Sequence, residues 1–195
     1  MSTVWRKPQP YMTAGDFLAW PGDGTGRTFQ LVDGEVRPVS PASTTHGAIQ
    51  ANLAYLLMAR IIEIGSPLRV VTEAAIVPGL TAMTNVRVPD LAVTAAPDER
   101  GGQELLNPVL IIEILSPGNQ DDTRDNIRAY ATLASVQEMV VVHSTRVLAE
   151  VHRRDAGGVW LRDPEVVEAD GRLRLASTSL DVALRAAYRG TYLAP

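Results

Sequence analysis

Two kinds of pattern alternate along this chain: long stretches with apolar residues at helical spacing, and short runs in which apolar and polar positions alternate. "STTHGAIQANLAYLLMARIIEIG" (43–65) is the clearest helix. Ile49, Leu53, Leu56, Leu57, Arg60 and Ile61 recur on one face, Ser43 or Thr44 can cap the start, and Gly65 can end it. "MTAGDFLAW" predicts a shorter helix, with Thr13 as cap and Asp16 three residues on. "DDTRDNIRAYATLAS" predicts a third, with an acidic first turn and periodic Ile127, Tyr130 and Ala131. "TFQLVDGEVRPVS" reads as a hairpin turning at Asp33-Gly34. Strands are expected in "PLRVVTEAAIVPG", "TNVRVPDLAVTAA", "VLIIEILSP", "EMVVVHS" and "VLAEVHRR". Weaker strands follow around "GGVWLR" and "GRLRLA", and the pattern predicts a closing helix over "SLDVALRAAY". This order gives a mixed α/β fold, a central sheet flanked by helices with an N-terminal helix and hairpin. We expect one domain over 1–195, with 1–11 as an N-terminal extension.

Carboxylates interrupt three of these strands: Glu73, Asp90 and Glu113. Glu113 is the most exposed to question. It sits in "VLIIEILSP" (109–117), an aliphatic run of the kind covered on both faces of a sheet. An ionised carboxylate there costs several kcal/mol unless something neutralises it. Alternation places Ile111 and Glu113 on one face, and Leu110, Ile112 and Ile114 on the other. Pro89, just before Asp90, lacks a backbone donor and predicts an edge or an interruption in regular pairing. Two carboxylates on neighbouring strands beside such an irregularity form a hard-oxygen site for Mg²⁺ or Mn²⁺. Spacing alone favours the other solution, neutralisation by a buried arginine, with Arg69 and Arg87 as candidates.

Composition narrows the function classes. Hydrophobic content of 46% with 21% charged residues is that of an ordinary globular protein. The absence of cysteine excludes disulfides and thiolate zinc sites. No apolar run approaches membrane-spanning length and the first residues lack the apolar core of a signal peptide, so a cytoplasmic protein is expected. Lys7 is the sole lysine, so a Walker phosphate loop is excluded, and the Gly-rich "GDGTG" (22–26) reads as a surface turn. No Gly-x-Ser-x-Gly elbow is present. His143 and His152 have no partners at metal-ligand spacing and read as packing residues. The net charge of −4 disfavours a protein coated in nucleic acid, yet 17 arginines leave room for a local basic groove.

The segments "FQLVDGEV", "SPASTTHGAIQANLAYLL", "VRVPDLAV", "VLIIEILSPGN" and "QEMVVVHS", in this order, resemble the Uma family of restriction-endonuclease-like proteins in the PD-(D/E)XK nuclease superfamily. The resemblance runs from about Met12 to the last predicted helix. It implies a restriction-endonuclease-like mixed sheet, dependence on Mg²⁺ or Mn²⁺, hydrolysis of phosphodiester bonds in DNA, and a homodimer. Carried over residue by residue, it implies that Asp90 and Glu113 hold the metal. It also implies that Glu35 adds a third oxygen and that His46 orders a water or contacts a phosphate. Glu73 is the alternative to Glu35.

Two departures from the family pattern bear on activity. The superfamily lysine two residues after the second carboxylate is here Leu115. The family commonly moves that lysine to the next helix, in a register that here reads Asp122, Asn126, Tyr130 on one helix face. Asn126 can bond a water or phosphate oxygen but supplies no charge. Arg124 and Arg128 lie about 200° round the helix from it, poorly placed to substitute. Gln30 likewise stands where relatives often carry glutamate. The alternative to an active endonuclease is therefore a catalytically weakened nuclease-fold module that binds nucleic acid or protein.

Overall fold

The computed structural model describes residues 11–79 and 82–194, so most of the expected N-terminal extension lies outside the described residues. Helix α1 (Ala14–Leu18) starts with a complete capping box between Thr13 and Asp16. Strands β1 (Phe29–Val32) and β2 (Glu35–Pro38) form the expected hairpin. Its turn residues Asp33 (φ 50°) and Gly34 (φ 84°) both take the left-handed backbone that a tight two-residue turn requires. Helix α2 (Thr44–Glu63) is capped by the Ser43 side chain, which accepts the His46 amide.

A six-stranded mixed sheet forms the centre. Its order is β3 (Arg69–Thr72), β4 (Leu91–Thr94), β5 (Pro108–Leu115), β6 (Glu138–His143), β7 (Leu148–Arg153), β8 (Glu165–Glu168). Every neighbouring pair is antiparallel except β5 and β6, which run parallel. The parallel pair needs a crossover, and helix α3 (Gln120–Tyr130) supplies it. Ile49, Leu53, Leu57 and Ile61 of α2 pack on Leu110, Ile112 and Ile114 of β5. On the opposite face Tyr130 and Ile127 of α3 pack over Ile111, Ala92 and Met139. Alternation along β5 thus turns Glu113 toward α3.

Three local expectations are corrected. "SLDVALRAAY" is not one helix: Leu180–Ala183 is strand β10, followed by a 3₁₀ turn over Leu184–Tyr188. Ser179 (φ 55°) reverses the chain, and Leu180 pairs back with Leu175 of β9 (Arg172–Leu175). Cross-strand pairing there overrides helix propensity. "GGVWLR" makes only an isolated bridge, Arg154 to Trp160, because Asp155 gathers the Gly157 and Val159 amides into a turn. The last position of the sheet goes to β8 instead. Finally, β3 stops at Thr72 and β4 begins only at Leu91, since Glu73 (φ 52°) and Pro89 both break the extended ladder.

Candidate active site

The break at Pro89 creates the site. Asp90 falls opposite Glu113 in the β4–β5 register, which ends at the pair Leu91–Ile112. Its side chain takes over where backbone pairing stops: Oδ2 accepts the Ile114 amide at 2.5 Å. Oδ1 accepts a bond from His46 Nε2 at 2.8 Å. The Asp90 carbonyl receives Gln50 Nε2 at 2.9 Å and the Glu73 amide at 3.3 Å. Four bonds from two elements and a bend thus fix one aspartate. His46 is buried at the first turn of α2, with Nδ1 3.4 Å from Ser116 Oγ, which in turn meets Ser144 Oγ at 3.2 Å.

Glu113 is 5% exposed. Asn126 Nδ2 and Tyr130 OH, one turn apart on α3, each donate to its Oε1 at 3.1 Å. Oε2 accepts no hydrogen bond among the described residues. Burial, and after it the charge of Asp90, pushes the Glu113 carboxyl up to about 8, while the bonds from Asn126 and Tyr130 pull the other way. No arginine among the described residues forms an ion pair with Glu113, although the charge of Arg87 also draws its carboxyl down, more weakly than the two hydrogen bonds do. Arg69 is engaged with Ala96 and Asp98 at the far end of β3, and Arg87 donates to the Leu31 carbonyl at 2.6 Å. The arginine solution does occur in this sheet, but at Glu138, which Arg153 Nε meets at 3.0 Å.

These groups open into a cleft of about 660 Å³. Asp90, Glu113, His46, Asn126, Glu73, Gln30 and Asp122 all line it. The helix face Asp122–Asn126–Tyr130 is arranged as its spacing suggests, with Tyr130 buried beneath the other two. Glu35 is the exception. It sits at the turn end of the hairpin, its side chain 64% exposed and 3.0 Å from Arg37, and does not line the cleft. The hairpin is tied to the core through the Leu31–Val86 bridge, so the neighbouring Gln30 reaches inward and the turn points away. Of the two acids that compete for a third oxygen, Glu73 is the one beside the cleft.

Sequence reasoning missed Gln50 and Ser116. Gln50 had a signal, lying four residues after His46 and therefore on the same face of α2. The role of the Ile114 amide had none, since it depends on where β4 stops pairing.

The donor set suits a hard divalent cation. Two carboxylates oppose one another without a cation between them, and Glu113 keeps one oxygen unclaimed. Among the described residues no three His, Asp or Glu groups converge as a ready-made cage. A Mg²⁺-like ion, which keeps several waters and binds through one or two carboxylates, asks for no more.

Residues 14–186 match the Uma2 family, described as "Putative restriction endonuclease". The chain belongs to the Uma2 family. A curated relative, the uncharacterized protein slr1290 of Synechocystis sp. (strain PCC 6803), is 27% identical over 190 residues, 94% of each chain. The crystal structure of a "putative nuclease belonging to DUF820" from Anabaena variabilis superposes with a TM-score of 0.73 at 21% identity, covering 91% of this chain and 97% of that one. That likeness establishes the mixed-sheet nuclease-like fold. Among the described residues no helix is long and apolar enough to cross a membrane.

Proposed function

We propose that this Uma2 member is a divalent-metal-dependent endonuclease that hydrolyses phosphodiester bonds in DNA, with Asp90 and Glu113 holding Mg²⁺ or Mn²⁺. One observation carries the reading: Glu113, buried and in no ion pair with an arginine among the described residues, faces Asp90 across the end of a sheet and opens into a cleft. When bound, the ion would activate water and offset negative charge gathering on the phosphate. The protein's own part is positioning. His46 and the Ile114 amide fix both oxygens of Asp90, so its orientation is set before any ligand arrives. Asn126 and Tyr130 hold Oε1 of Glu113 and leave Oε2 toward the cleft. The second hydrogen on the Asn126 amide can bond a water or a phosphate oxygen. Glu73 is the third acid we assign to the site.

A second reading rests on Asn126 and Gln30. No lysine occurs among the described residues, and Arg27 is the one arginine lining the cleft. A nuclease-fold module with weakened catalysis would look like this too. Supercoiled plasmid incubated with Mn²⁺ or Mg²⁺ separates the readings: metal-dependent nicking that EDTA and Asp90→Asn both abolish is expected of the enzyme. DNA binding without nicking supports the module. We also propose a homodimer, supported by the exposed apolar stripe of Tyr55, Met58 and Ile62 on α2. Light scattering giving a monomer mass at micromolar concentration would rule it out.

A further inference from the structure

The cleft is a poor place for a polyanion to land. Glu73, Asp90, Glu113 and Asp122 line it against the single exposed Arg27. On the other side of α3 lies a second groove of about 670 Å³ with the opposite character. Arg124, Arg128 and Arg146 line it, and Glu150 is its sole acid, hydrogen-bonded to His143 at 2.7 Å. All three arginines are exposed. Arg124 and Arg146 have no hydrogen-bond or ion-pair partner among the described residues. Arg128 meets Asp125 at 2.7 Å, an exposed pair of the kind that contributes little and exchanges readily. Thr123 and Thr145 line both cavities, so groove and cleft adjoin where the first turn of α3 meets the β6–β7 turn.

Resting on the nuclease reading, we propose that Arg124, Arg128 and Arg146 form a phosphate track. They hold the nucleic-acid backbone beside the scissile phosphodiester and deliver that bond to the acidic cleft. Arg124 and Arg128, at i and i+4, stand roughly 6 Å apart on one side of α3, comparable to the step between successive phosphates along a strand. Arg146, from the β6–β7 turn, extends the line across the groove. Guanidinium groups suit this task because each can present two parallel donors to one phosphate. The geometry that disqualifies Arg124 and Arg128 as replacements for a lysine at Asn126 is what points them into the groove. No base-reading pattern accompanies the three arginines, so the track holds backbone without regard to sequence.

The test measures binding and cleavage separately. Fluorescence anisotropy of a labelled duplex, in EDTA and across a salt series, gives affinity and its salt dependence for the wild type and for R124A/R128A/R146A. Each lost phosphate contact lowers the slope of log K against log salt by about 0.9 for duplex and about 0.7 for single strand. We expect the triple variant to bind at least tenfold more weakly with a slope smaller by about 2 to 3. The R124K/R128K/R146K variant should restore most of the slope. Melting curves confirm that each variant is folded. Unchanged affinity and slope in the alanine variant overturn the track, as does equal arginine-dependent binding of a poly-glutamate peptide. Cleavage assays with Mn²⁺ keep the two readings apart. A wild type that binds through the arginines but never cuts leaves the track standing and removes the nuclease. An alanine variant that binds and cuts like wild type removes the track alone.

Discussion

Asn126 donates to Glu113 at 3.1 Å from the helix position where the family resemblance implies a lysine. The neutral amide keeps the hydrogen bond and gives up the charge. On the nuclease reading, Asn126→Lys returns a cation beside the spot where negative charge develops. Plasmid nicking in Mn²⁺ should then rise by about 10²-fold, the scale of one oriented donor. Equal or slower nicking by a folded, metal-binding variant would mean that another group already fills the role.

Glu113 makes the metal-free protein sensitive to pH. Its carboxyl is held near 8 by burial first and Asp90 second, against an ordinary 4.5. The folded state therefore binds the proton more tightly than the unfolded chain. Stability is full below about pH 4.5, declines as pH rises through about 8, and is level above. Glu113→Gln keeps an oxygen that both Asn126 and Tyr130 can reach and has no charge to bury. Its melting temperature should lack that decline and exceed the wild type's at pH 8. A Gln variant several kcal/mol less stable than wild type at every pH contradicts this account.

Divalent metal should reverse the penalty. An ion that binds the folded pair and not the unfolded chain stabilises by about 2.7 kcal/mol at a hundredfold excess over Kd. Melting curves with and without Mn²⁺ should show the rise in wild type and lose it in Glu113→Gln. No rise in the wild type at any Mn²⁺ concentration sinks the metal site.

His46 acts through Asp90, which its Nε2 meets at 2.8 Å. His46→Ala should leave one carboxylate oxygen to rotate toward solvent. Partners of this kind typically account for 10- to 100-fold in metal affinity. Titration calorimetry with Mn²⁺ is expected to show weakening in that range. Affinity equal to wild type would leave His46 a structural cap.

The long helices, the hairpin and the alternation of β5 could all be read from periodicity, and with them the face on which Glu113 lies. Pro89 announced the interruption, because a missing donor is a local property. What joined Asp90 to the Ile114 amide was not local: it follows from where β4 and β5 cease to pair. Glu35 and Gln30 show the same limit. They lie on one hairpin five residues apart, and only the anchoring of Leu31 to Val86 decides which reaches the cleft. "SLDVALRAAY" misled because its helical spacing ignored the partner strand waiting in Arg172–Leu175.

The bond from the Ile114 amide to Asp90 has a spectroscopic consequence. That proton is donated to a carboxylate and not to a ladder carbonyl, so its chemical shift and its exchange with solvent follow the state of Asp90. An ion drawing on Oδ2 must weaken this donor bond, and a side chain swinging away must release it. One backbone resonance, near the end of the central strand β5, therefore registers ligation at the site without any substrate or turnover.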